Sequence, residues 1–235
     1  MIDPLRDLAS VREATDRLLT AAAGLDEAAV AGPSRLPGWS RGHVLAHLSR
    51  NAEALVNVLA GRPMYVSGEA READIERDAP RPPATQLADV RDTAAAFQAA
   101  GEVPADWSRT VELRNGITDA AARVPFRRLV EVELHHVDLG IGYELEDLPQ
   151  DFTDREISFL SERFSGRPDV PPTRIVASDR EPGAKDAGEW HTGGTEGAPV
   201  TVTGPAAALL GWLAGRRDGT GLDTAGALLP KLPPL

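Results

Sequence analysis

Apolar residues recur at helical spacing through the first part of the chain and at strand-like spacing nearer its end. Residues 3–23 carry Leu5, Leu8, Val11, Leu18 and Leu19 on one face, with Gly24 as a stop. The turn-rich PSRLPGWS of residues 33–40 ends in Ser40, a good N-cap. A second helix follows it to about Ala60, with Val44, Leu48, Ala52, Leu55 and Leu59 as its apolar arc. Residues 61–84 are polar and rich in Arg, Glu and Pro, a long connection with room for a short helix in its middle. Leu87, Val90, Ala94 and Phe97 mark a third helix over 85–100. A second loop covers 101–124, and a fourth helix runs from about Pro125 to Gly142. Beyond about residue 150 the pattern changes. A helix over 153–165 is followed by short candidate strands at 173–178, 189–192 and 199–203, and by a last helix over 205–215. The expected fold class is α+β, a four-helix unit (residues 1–148) followed by a small α/β unit (149–235).

The fourth helix concentrates the candidate chemistry. In LVEVELHHVDLG, at about 100° per residue, Glu131, His135 and Asp138 share one narrow stripe. Val130, Leu134, Val137 and Ile141 flank it on one side, Val132 and Leu139 on the other, and Glu133, His136 and Gly140 lie opposite. A polar stripe between apolar flanks points into the protein, where carboxylate and imidazole must be paired or bound to a metal. The stretch alone suits a buried, hydrogen-bonded Glu131–His135 pair as well as a metal site. The second helix offers His43, His47 and Asn51 one turn apart. His47 lies at the edge of the apolar arc and can reach the interior; His43 is turned to the polar side. Helices two and four of a bundle thus present a His₂Glu set of His47, Glu131 and His135. Such a set leaves open the coordination positions that a catalytic zinc requires. Asp138 is placed to orient an imidazole.

Composition removes several classes. With 235 residues and 42% hydrophobic positions the chain can build one large domain or two small ones, each with its own core. A net charge of −11 without a basic block speaks against nucleic acid. No run of about 18 apolar residues suggests a membrane span, and the charged N-terminus has no apolar leader, so a cytoplasmic location is expected. The chain has no cysteine, so any thiol chemistry needs a thiol brought by a ligand.

PGWSRGHVLAHLSRNAEAL, EVELHHVDLG and GPAAALLGWLAGR together resemble the mycothiol-dependent maleylpyruvate isomerase family. The resemblance spans nearly the whole chain and implies a DinB-like four-helix bundle with a small C-terminal α/β domain. It assigns the zinc ligands to His47, Glu131 and His135, and a functional arginine to Arg216, next to Arg217. The implied cofactors are zinc, or another divalent metal, and mycothiol. The implied reaction is cis-trans isomerisation of maleylpyruvate to fumarylpyruvate in gentisate breakdown, by reversible addition of a thiolate to the double bond. Arg216 would pair with a substrate carboxylate, for which its planar fork is suited. The implied partners are a small-molecule substrate and a low-molecular-weight thiol, on a monomer or weak dimer. Two other classes use the same residues: a mycothiol S-transferase that releases a stable thioether, and a non-catalytic module in which the metal merely holds the bundle.

Overall fold

The computed structural model describes residues 2–103, 106–180 and 188–234. These divide into two compact units, 1–143 and 144–235, where the sequence suggested a boundary at 148/149.

The first unit is built on four helices: α1 (Pro4–Ala22), α3 (Arg41–Leu59), α5 (Pro83–Glu102) and α6 (Val124–Leu139). Each packs on two of the others, in the cyclic order α1, α6, α3, α5. Leu18, Leu45, Leu48, Leu55, Phe97 and Val132 fill the space between them. Two shorter helices, α2 (Glu27–Ala31) and α4 (Gly68–Asp78), pack on α3. Helix α2 was not expected, because its five residues are too few to display a helical period. Within the expected loop at 101–124 lies a hairpin, β1 (Thr110–Glu112) with β2 (Thr118–Ala120), antiparallel with Thr110 opposite Ala120. Its turn places Asn115 and Gly116 at φ 62° and 71°, the left-handed region that an Asn-Gly pair tolerates best.

Local chemistry sets where the helices start and stop. Asp3 accepts the backbone N–H groups of Leu5 and Arg6 at the head of α1. Ser40 caps α3 in a box completed by His43: Ser40 Oγ accepts the His43 N–H at 3.3 Å, and His43 Nδ1 accepts the Ser40 N–H at 3.2 Å. This accounts for His43, whose Nε2 lies 3.4 Å from Glu76. Gly140 ends α6 at φ 63°, and the last carbonyls of that helix accept from Arg35 N–H (onto Asp138) and Arg41 Nε (onto Leu139), both at 2.8 Å. At Gly42 a Cβ would stand 2.1 Å from the Ala79 carbonyl oxygen, so only glycine lets the end of α4 lie this close to α3. Buried Gln86 Nε2 ties the same place together through the Asp78 and Ala79 carbonyls, at 2.8 and 3.0 Å. Asp78, itself fully buried, takes Arg77 and Arg81 at 2.8 and 2.6 Å.

In the second unit, α7 (Gln150–Phe164) and α8 (Ala206–Leu213) pack on each other and against a three-stranded sheet. Its order is β4 (Glu189–Thr192), β3 (Thr173–Ala177), β5 (Val200–Gly204), with β3 antiparallel to β4 and parallel to β5. Alternate residues of β3, Thr173, Ile175 and Ala177, are buried. The strands fall within a residue of the expected runs because β-branched residues bounded by turn formers define them closely.

Candidate metal centre

Helix α3 contributes His47 and α6 contributes Glu131 and His135, and the three offer ligand atoms that all lie within 4.8 Å of one another. His47 Nε2 is 2.9 Å and His135 Nε2 3.2 Å from the same oxygen, Glu131 Oε2. The two rings meet edge to face with centroids 4.6 Å apart, and Trp39 lies against His47 at 5.6 Å. Both histidines are buried, while about a third of the Glu131 side chain, 32%, remains accessible. Ligand atoms at opposite ends of a tetrahedral edge around zinc are about 3.3 Å apart, so the spacing of these atoms, as well as their chemistry, suits a divalent ion. Asp138, fully buried, holds His135 Nδ1 at 2.8 Å and so directs Nε2 toward Glu131.

The electrostatics of the cluster are internally consistent. Burial pushes His47 down to about 4, against the pull of Glu131, so its ring is neutral at ordinary pH. Burial also opposes charge on His135, but Asp138 and Glu131 outweigh it and raise that histidine. Burial alone would raise the Glu131 carboxyl; the hydrogen bonds and charges of His135 and His47 hold it well below its ordinary value. A carboxylate flanked by two imidazoles, one of them backed by a second carboxylate, is a strong cation-binding set.

A cavity of about 180 Å³ opens on the cluster, lined by His47 and Glu131 together with Asn51, Tyr65, Arg71, Arg114 and Arg127, among others. A larger one of about 520 Å³ shares Met64, Tyr65, Leu113 and Arg114 with it. The polar connection at 61–84 and the hairpin therefore wall the site.

Several placements depart from the sequence reading. Glu133 and His136 were assigned to a face turned away from the interior, yet they are 1% and 2% exposed. The reason is that α6 is covered on two sides, by α3 and by α1. Arg17 of α1 and the Tyr143 hydroxyl donate to Glu133 at 2.5 and 2.9 Å, and the His136 ring stacks on Tyr143 with centroids 4.0 Å apart. Arg128 was passed over. It is fully buried, donates from Nη1 to Asn51 Oδ1 and the Leu48 carbonyl, both at 2.8 Å, and burial pulls its guanidinium down to about 10, with Glu131 among the groups acting to raise it. It sits three residues before Glu131, on the same stripe, which is the signal that could have found it. Arg71 was passed over as well, as one charge in a polar loop. Arg216 belongs to the second unit, just after α8, with Nη1 donating to the Ala214 carbonyl at 2.8 Å. Its neighbour Arg217 is engaged by both oxygens of Glu146, at 2.7 and 2.8 Å.

Comparison with known proteins gives a consistent result. The family model of the mycothiol maleylpyruvate isomerase N-terminal domain matches residues 11–140, and that of the MDMPI C-terminal domain matches residues 147–230. No curated protein matches the chain significantly in sequence. A crystal structure of the mycothiol-dependent maleylpyruvate isomerase superposes with a TM-score of 0.85 at 23% identity, covering 99% of this chain and 97% of that one. A crystal structure of an alanine-for-histidine mutant of the mycothiol-dependent maleylpyruvate isomerase gives 0.84 at 24% identity, covering 97% and 96%. At these identities the structural likeness is one of fold. The family models account between them for most of both units, and the chain belongs to the mycothiol maleylpyruvate isomerase family.

Proposed function

We propose that this chain is a zinc-dependent, mycothiol-dependent isomerase that converts maleylpyruvate to fumarylpyruvate. The observation that carries the metal dependence is the convergence of His47, Glu131 and His135 beneath a cavity; the family supports the thiol and the substrate. The absence of cysteine fits a thiol that arrives with a cofactor. A bound divalent ion and thiol cofactor supply a thiolate at neutral pH and its reversible addition to the double bond, which leaves a single bond free to rotate. The chain's own residues hold, orient and shield. His47 Nε2, His135 Nε2 and Glu131 Oε2 would hold the ion. Asp138 fixes the orientation of the His135 ring, and Trp39 covers His47. The larger cavity beside the site, sharing Tyr65 and Arg114 with the smaller, has room for the bulk of a thiol cofactor.

Arg216 remains the proposed carboxylate partner in the second unit, on the family resemblance. Both oxygens of Glu146 engage the fork of the neighbouring Arg217. The deciding experiment is an assay of maleylpyruvate with and without mycothiol, on protein loaded with zinc and on protein stripped by chelator. Fumarylpyruvate should form only with both present, and the thiol should be recovered unchanged. Stoichiometric consumption of thiol would instead mean an S-transferase, and turnover in stripped protein would refute the metal role.

A further inference from the structure

The cavity over the metal cluster is cationic in a chain whose net charge is −11. Its three arginines are differently occupied. Arg127 is closed onto Asp119 by Nε and Nη2, at 2.9 and 2.6 Å. Arg114, on the hairpin turn, is exposed, and its side chain makes no hydrogen bond or ion pair among the described residues. Arg71, on α4, has only 11% of its side chain accessible. Its guanidinium lies 5.9 Å from the centre of the Tyr65 ring. It pairs with Glu72, a carboxylate more than half exposed at 54% and therefore weakly held. Its Nη2 lies 3.0 Å from His47 Nδ1.

That last contact has a chemical consequence. A guanidinium has donors only, so His47 Nδ1 must be the acceptor, and the proton of the neutral ring then sits on Nε2, facing Glu131 Oε2 at 2.9 Å. An ion bound at Nε2 takes the lone pair there and leaves the ring proton on Nδ1. Nδ1–H and Arg71 N–H would then oppose each other as two donors. Metal ligation by His47 and the Arg71–His47 hydrogen bond exclude one another.

We propose that Arg71, together with Arg114, receives a carboxylate of a small acidic substrate in the cavity, and that metal uptake by His47 is what releases Arg71 to do so. The proposal rests on the metal reading above and extends it: the first unit has its own carboxylate site, independent of Arg216. Arg71 leaves His47 by a side-chain rotation within the cavity it already lines, with Tyr65 as a platform for its planar group. The overall negative field repels a dianion at long range, so an acidic substrate needs local cations of this kind at the ion.

The test uses the full chain, zinc-loaded and chelator-stripped, as wild type, Arg71→Met and Arg71→Lys. Maleate, a short cis-dicarboxylate, is titrated calorimetrically, and zinc affinity is measured by competition with a chromophoric chelator. In zinc-loaded protein Arg71→Met should bind maleate about 10- to 100-fold more weakly, the loss expected for one charge-assisted contact, with Arg71→Lys recovering part of it. The ion's own attraction for carboxylate raises maleate affinity in every variant, so the release of Arg71 is the part of the zinc-dependent rise that Arg71→Met lacks. Zinc affinity should move the opposite way, equal to or tighter than wild type in Arg71→Met, because a competing contact and a nearby positive charge are gone. Undiminished maleate binding in zinc-loaded Arg71→Met would overturn the carboxylate site. Weaker zinc binding in that variant would overturn the release and make Arg71 a structural support. Failure of the wild type to take up zinc would be failure of the metal reading, seen in the chelator competition alone, and would overturn the release with it, since no ion would then free Arg71 from His47.

Discussion

Replacing Asp138 by Asn keeps the size of a fully buried side chain and removes only its charge. The carboxylate lies 2.8 Å from His135 Nδ1, and a charge-assisted bond of this kind is worth about 1.5–3 kcal/mol. Loss of a carboxylate behind a ligating imidazole lowers metal affinity by about 10- to 100-fold, or about 1.4–2.7 kcal/mol. The two figures overlap, so this one hydrogen bond can account for the whole effect. Zinc affinity of Asp138→Asn, measured by chelator competition, should fall by that factor. Stability adds a second, signed readout. Asp138 and Glu131 raise His135 above its ordinary value of 6.5 despite its burial, so their stabilising contribution is fully present below about pH 6.5 and is lost as pH rises through the raised value. In chelator-stripped protein, urea unfolding should show the cost of Asp138→Asn largest near pH 6 and shrinking as the pH rises through the raised value of His135. Unchanged zinc affinity, or a stability loss independent of pH, would refute the assignment of Asp138 to His135.

Other substitutions separate the site from its scaffold. His136→Gln should keep zinc but lose about 0.5–1.5 kcal/mol in urea unfolding, the worth of its stack on Tyr143; loss of zinc would place it among the ligands. Gly42→Ala forces a methyl against the Ala79 carbonyl and should cost at least about 1–3 kcal/mol, and an unaltered melting temperature would show that α4 can move away freely. Arg217→Ala removes a half-exposed pair with Glu146, so it should cost less than about 1 kcal/mol and leave turnover intact. Arg216→Ala should keep zinc and lose most turnover, and the reverse order in kcat/KM would transfer the role to Arg217.

What the sequence could and could not show follows from the reach of each signal. Ser40 fixes where α3 begins, so the phase of His43, His47 and Asn51 was readable, and the apolar flanks around Glu131, His135 and Asp138 fixed one face of α6. The convergence of those side chains needed only the assumption of neighbouring helices. The opposite face was another matter. Periodicity within one helix reports where apolar residues lie, not whether polar ones meet water or another helix, and Glu133 and His136 meet Arg17 and Tyr143. Helix α4 lies in the middle of the 61–84 connection, where the sequence left room for a short helix, but its bounds and inward face were not readable: of its residues only Ile75 and Asp78 are buried, and it is held by Gln86, Arg50 and Arg81, all distant from it or outside its own span. Arg71 therefore read as a loop charge. The hairpin strands, three residues each, are too short to show alternation, although Asn115-Gly116 marks their turn.

The same contacts bear on whether the metal serves chemistry or merely holds the bundle. In a protein folded by its metal, the ligands have no other partners and removal of the ion unfolds the chain. Here His47, His135, Glu131 and Asp138 satisfy one another through hydrogen bonds of 2.8–3.2 Å. The helices that carry them are joined by an apolar core, Leu18, Leu45, Leu48, Leu55 and Phe97, that does not include the cluster. Protons can therefore take the place of the ion at a cost the core can bear. Chelation should abolish turnover while the protein keeps its far-ultraviolet circular dichroism and a single cooperative unfolding transition. The melting temperature should fall only by the linkage owed to metal binding, about RT ln(1 + [Zn]/Kd) in free energy, and should return as zinc is restored. Unfolding on chelation would mean that the ion is a structural pin and that the open cavity above it is incidental. A folded, inactive and reloadable protein is the outcome that ties His47, Glu131 and His135 to catalysis.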